Sequence, residues 1–139
     1  MAGGVLAAVL LAGCGDPDQK LRENAAQTAR TAASEVNTTR LVVEQLRAHR
    51  IWAQPAGRMV DDAEKSLGKT ADAFSAQQPS TEQSARLYEQ VNATLDTAVS
   101  TVTAVRIALG NDDLAGAEQQ LPALRQSGQD LGQVGELTK

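Results

Sequence analysis

The stretch YEQVNATLDTAVSTVTAVRIAL, residues 88–109, decides the fold. Within it Tyr88, Val91, Leu95, Ala98, Val102, Val105 and Leu109 recur at spacings of three, four, three, four, three and four. That rhythm sets every apolar side chain on one stripe of an α-helix and none on a strand face. A stripe of seven positions must be buried against other elements, so this helix predicts partners. On its N-terminal side, Ser80-Thr81-Glu82-Gln83 reads as a capping box, with the Ser80 hydroxyl at the N-cap and Gln83 reaching back. On its C-terminal side, Gly110 is the expected left-handed stop, and Asn111 or Asp112 the next N-cap.

The same period extends both ways. A first helix is expected from about Pro17 to Trp52, with Ala25, Ala29, Ala32, Val36, Val43 and Leu46 on one stripe. Gln54-Pro55-Ala56-Gly57 breaks it, because proline disfavours α geometry in the residue before it and suits a new first turn. A second, from about Pro55 to Ala76, carries Val60, Ala63, Leu67, Ala71 and Phe74. The fourth repeats the seam with Leu114, Ala117, Leu121, Leu124, Leu131 and Val134. Pro122 must kink or break it, and Gly128, Gly132 and Gly135 predict fraying towards Lys139. The chain between Asp16 and Lys139 has no run of period-two alternation and favours Ala, Gln, Glu, Arg and Leu. Short connections make such helices antiparallel neighbours. The predicted fold is all-α: an antiparallel four-helix bundle of two helical hairpins over residues 21–139. The halves share short words: Arg40-Leu41 with Arg106-Ile107, and Ala63-Glu64-Lys65-Ser66-Leu67 with Ala117-Glu118-Gln119-Gln120-Leu121.

Composition removes several functions. The 139 residues hold 13 basic and 17 acidic side chains, for a net charge of −4, and three aromatics in all, Trp52, Phe74 and Tyr88. That offers neither a basic footprint for a nucleic-acid backbone nor a platform for stacking bases. One cysteine forms no internal disulfide, and one histidine excludes His-pair metal motifs. No cofactor or metal site is expected, and no enzyme activity: there is no Gly-rich phosphate loop and no credible Ser/His/Asp or Cys/His set.

The N-terminus is of a different kind. Residues 1–13 carry no charge, Val5 to Ala12 is an unbroken apolar run, and Gly15-Asp16-Pro17-Asp18 then turns polar. The run is too short to span a hydrocarbon core of roughly 30 Å and fits the core of a signal peptide, although no Lys or Arg precedes it. At its end Leu11-Ala12-Gly13-Cys14 resembles the lipobox of bacterial lipoproteins. A thiol is the nucleophile that takes up a diacylglyceryl group as a thioether, and small residues before it give a membrane peptidase access to the backbone. The resemblance implies lipidation of Cys14, recognition through Leu11, Ala12 and Gly13, and cleavage between Gly13 and Cys14. Acylation of the new amino terminus usually follows. Two or more acyl chains make such an attachment stable where one is marginal. A lipobox ahead of an Ala-rich pair of helical hairpins is similar to small all-helical lipoproteins of GC-rich Gram-positive bacteria. The expected organisation is a signal peptide over 1–13, a tether over 14–20 and the bundle after it, on the extracytoplasmic side of the cell membrane.

Few other side chains stand out. Arg40, Arg47, Arg50 and Arg58 with His49 form the one basic cluster, and the chain up to Arg58 has seven basic and five acidic side chains against six and twelve beyond it. Two readings stay open: a patch for anionic headgroups or a wall polymer, and cations placed near a helix C-terminus, which is favoured. Glu44 and His49 lie five apart, about 140° around a helix, and share no site on it, so His49 is expected at the surface or a helix end. Trp52 is expected to cap the hydrophobic core, with an exposed anchor as the alternative. Asp61-Asp62 and Asp112-Asp113 lack the alternating oxygen ligands of a calcium loop and are expected to begin helices. The function expected is a non-enzymatic adaptor or scaffold, lipid-anchored through Cys14, with an envelope protein or wall polymer as partner. The alternative is a carrier holding a hydrophobic or small ligand between the hairpins. The helix of residues 88–109 leaves self-association open as well.

Overall fold

The computed structural model describes residues 15–139, so the apolar leader and Cys14 lie outside the described residues. Five helices follow in order: α1 (Pro17–Arg47), α2 (Ala53–Ser75), α3 (Glu82–Gly110), α4 (Leu114–Gln119) and α5 (Leu121–Leu137). α4 and α5 form one broken rod, so the architecture is an antiparallel four-helix bundle. α1 packs on α2, on α5 and, across the bundle, on α3; α3 also packs on α2 and α5, while the α2 and α5 backbones stay apart.

Helix α1 begins at Pro17, where the missing N–H has no intrahelical partner to lose, and the Asp16 carboxylate accepts from the Asp18 N–H at 3.0 Å. The expected tether over 14–20 is therefore shorter, since Pro17 to Lys20 are helical. The predicted stripe is buried, and the gap between Val36 and Val43 is filled by Thr39, whose hydroxyl donates to the Glu35 carbonyl at 3.0 Å. α1 ends five residues before the expected Trp52. The Arg50 N–H bonds the Gln45 carbonyl at 2.9 Å and the His49 N–H bonds that of Leu46 at 3.0 Å, with His49 left-handed at φ 56°. This is a Schellman closure with histidine where glycine is usual.

Helix α2 starts two residues before Pro55, which sits at the third helical position, where the backbone N–H is an orphan in any residue. Asp61 and Asp62 consequently lie well inside α2, not at its start, and Asp61 accepts from Lys65 one turn on at 2.6 Å. The capping box of α3 is displaced by one residue. Thr81 is the N-cap and Ser84 its partner: the Thr81 hydroxyl accepts from the Ser84 N–H at 3.1 Å and the Ser84 hydroxyl from the Thr81 N–H at 2.9 Å. The shorter serine closes the box that Gln83 was expected to close.

The decisive stripe behaves as read: Val91, Leu95, Ala98, Val102 and Val105 are fully buried, and Tyr88 and Leu109 pack at its ends. Because that seam faces the other helices of the same chain, it is not free to pair between chains. Gly110 remains helical, and the left-handed stop falls on Asp112 at φ 53°, with the Asp113 N–H on the Ala108 carbonyl at 2.8 Å. Asp113 then caps α4 by accepting from the Gly116 N–H at 2.8 Å. Pro122 breaks the fourth rod at Gln120, and α5 runs helical to Leu137 through its three glycines, where fraying was expected. Burial of Leu121, Leu124, Leu131 and Val134 on one face holds it in place.

The core is narrow. Phe74 is its one fully buried aromatic, stacked on Tyr88 with ring centroids 5.8 Å apart, and the Tyr88 hydroxyl donates to the Ser75 carbonyl at 2.6 Å. Along α1 the buried column Ala25, Ala29 and Ala32 contributes little area per residue but lets its neighbours approach closely. α1 has 31 residues, which at 1.5 Å per residue makes a rod about 46 Å long. The start of α1 and the loop of residues 48–52 therefore stand at opposite ends of the bundle.

Candidate functional site

At the N-terminal end, the Asp18 carboxylate accepts from the Thr81 hydroxyl at 2.8 Å and the Ser80 hydroxyl at 3.1 Å, and Asn24 donates to Gln77 at 3.1 Å. These bonds fasten the first turn of α1 to the α2–α3 turn. The hydroxyls on Asp18 hold its pKa below the ordinary carboxylate value, with the Thr81 hydrogen bond as the largest cause.

The opposite end carries the unpaired chemistry. The Schellman closure reverses the chain after α1, so that Ile51 turns in to pack against the core and Trp52 turns out. Trp52 is 84% exposed and does not cap the core, contrary to the expectation from its sequence neighbours. His49, Arg50, Ile51 and Trp52 together line an open concavity of about 290 Å³. Beside it, Leu46, Ala53, Leu109 and Leu114 line a smaller apolar crevice of about 120 Å³, with Asp112 at its edge.

The four arginines of the sequence cluster do not share one setting. Arg40 lies lower on α1 and is half-buried, bonded to Glu44 at 2.9 Å; Arg125 of α5 reaches the same carboxylate at 3.5 Å. Arg47 and Arg50 are exposed where α1 ends, and Arg58 lines a groove between α2 and α3 with Asp61, Arg106 and Asp112. Arg106 is held by Glu64, which also accepts from the Thr103 hydroxyl at 2.6 Å. Among the described residues Arg47, Arg50 and Arg58 make no ion pair. Glu44 takes Arg40 one turn away along α1, which spacing shows, whereas its reach to Arg125 and the hold of Glu64 on Arg106 depend on which helix faces lie side by side.

Among the described residues no group of three or more His, Cys, Asp or Glu is arranged to hold a metal ion. No helix among them is long and apolar enough to cross a membrane. Leu11, Ala12, Gly13 and Cys14 lie outside the described residues. Compared with protein-family models, with curated proteins and with solved structures, the chain matches none.

Proposed function

We propose that this chain is a lipid-anchored protein of the cell envelope, held at the extracytoplasmic face of the cell membrane through a diacylglyceryl thioether on Cys14. Its bundle serves there as a non-enzymatic adaptor or scaffold. The observation that carries the reading is the order of residue types at Leu11-Ala12-Gly13-Cys14, ending an apolar run too short to span a bilayer. The start of α1 at Pro17 supports the geometry. Only Gly15 and Asp16 separate Cys14 from the helix, so the lipid and the first turn lie within about 10 Å of each other. An adaptor so mounted keeps one end of its bundle at the headgroups.

The alanine column of α1 favours an adaptor over a carrier, because it draws the helices together where a ligand between the hairpins would need room. The test is cell fractionation of the full chain and of Cys14→Ser. The wild type is expected in the membrane fraction and extractable with detergent, and the variant in the soluble or secreted fraction. Equal distribution of the two would reject the reading.

A further inference from the structure

We propose that the loop of residues 48–52 is a docking site for an acidic protein segment, one that presents an aliphatic side chain beside carboxylates. Trp52 and Ile51 receive the apolar part, and Arg47 and Arg50 the charge. This deepens the adaptor reading by naming the surface and the kind of partner, and its outward direction rests on the lipid anchor at Cys14.

Three observations converge on this loop. First, its concavity is lined by a guanidinium, an imidazole, the half-buried Ile51 and a tryptophan left 84% exposed. Tryptophan and arginine are the side chains that most often dominate an interface once desolvated. Second, the charge is unspent. The chain has no carboxylate from Gln45 to Val60, and Arg47 and Arg50 make no ion pair among the described residues, whereas Arg40, Arg106 and Arg125 at the same end are taken by Glu44 and Glu64. Complementary charge on the occupant is what the site lacks. Third, the loop is fixed in advance. Two backbone hydrogen bonds and the left-handed His49 hold it on the end of a 31-residue helix, so little loop entropy is lost on binding.

The position of the anchor separates this occupant from a bilayer. With Cys14 in the membrane and α1 about 46 Å long, an upright bundle carries Trp52 beyond the reach of the headgroups. A protein segment is favoured over a wall polymer because a polyanion alone leaves the apolar floor of Ile51 and Trp52 uncovered.

The chain has a single tryptophan, so its emission reports on this loop alone. The full lipidated chain, held in phosphatidylglycerol-containing vesicles, is titrated with a short peptide alternating leucine and glutamate. The expected result is a saturating blue shift of Trp52, weakened about tenfold or more in R47E/R50E and unchanged in R86E. The lysine-for-glutamate peptide should shift the emission of the charge-reversed variant and not that of the wild type. No shift with the acidic peptide overturns the proposal. So does an equal shift with poly(glycerol phosphate), which would make the occupant a polymer. So does a blue shift on vesicle attachment alone, which would make it the bilayer. A tip that fails these arms while the chain stays on the vesicles rejects the docking site and leaves the anchor standing; a chain that never attaches rejects the anchor first.

Discussion

The Asp18 carboxylate accepts the Thr81 hydroxyl at 2.8 Å across 63 residues of sequence, joining the first turn of α1 to the N-cap of α3. Because Asp18 lies four residues after Cys14, this bond fastens the stretch nearest the proposed anchor to the far hairpin.

The bond makes stability depend on pH in a defined sense. The folded-state pKa of Asp18 lies below the ordinary value of 3.8, the Thr81 hydrogen bond being the largest cause. Its contribution is therefore fully present above that value and is lost as pH falls through the lower folded-state value. Asp18→Asn should lower the melting temperature at neutral pH, and the gap to the wild type should close as the pH falls below about 4. Thermal melts of both proteins between neutral and strongly acidic pH check this; a gap that persists unchanged would contradict it.

Core and surface positions of α3 should separate cleanly. Leu95 is fully buried while Ile107 is 49% exposed. Leu95→Ala should cost about 2–5 kcal/mol in urea unfolding, and Ile107→Ala should stay within about 0.5 kcal/mol of the wild type.

The two left-handed non-glycine residues give a graded test. His49→Gly should stabilise the chain by up to about 1 kcal/mol, and His49→Val should destabilise it by about 1–2 kcal/mol, since a branched side chain is poorly accommodated at positive φ. Asp112→Gly should gain less than His49→Gly, because aspartate tolerates that conformation better. Denaturant midpoints at constant slope report the order.

Helical glycines with open space should improve as alanine. A Cβ at Gly68 or Gly132 would meet nothing within 4 Å, so each Gly→Ala change should add about 0.5–1 kcal/mol. Gly116→Ala should act in the opposite direction, because its Cβ would collide with the Asp113 carboxylate that caps α4. Loss of that cap is worth about 0.5–2 kcal/mol. Calorimetry of the three variants shows whether the signs hold.

The helical period made most of the fold legible. The stripes of Val91 to Val105 and of Val60 to Phe74 needed nothing beyond spacing to place them inside, and Pro122 announced its break. The termini were harder to read. α1 stops at a histidine and α3 at an aspartate in the left-handed region, where sequence leads one to look for glycine, and Gly110 stood close enough to mislead. The exposure of Trp52 was hidden with the first of these stops, since the turn at His49 ends the helix before Trp52 and leaves the indole in solvent. The pairing of Arg40 with Glu44 was available from their four-residue spacing, but the hold of Glu64 on Arg106 depended on two helices meeting face to face. Leu11-Ala12-Gly13-Cys14 is the reverse case: the proposed lipidation rests on four residues outside the described ones.

The proposed anchoring depends on that lipidation. The most direct measurement is the intact mass of the chain purified from membranes of a lipoprotein-processing bacterium, with fragmentation of its N-terminal peptide. Anchoring through Cys14 predicts a chain that begins at Cys14 and carries a diacylglyceryl group on the sulfur. A chain that keeps residues 1–13 and an unmodified Cys14 thiol, in cells that lipidate their other lipoproteins, would contradict it.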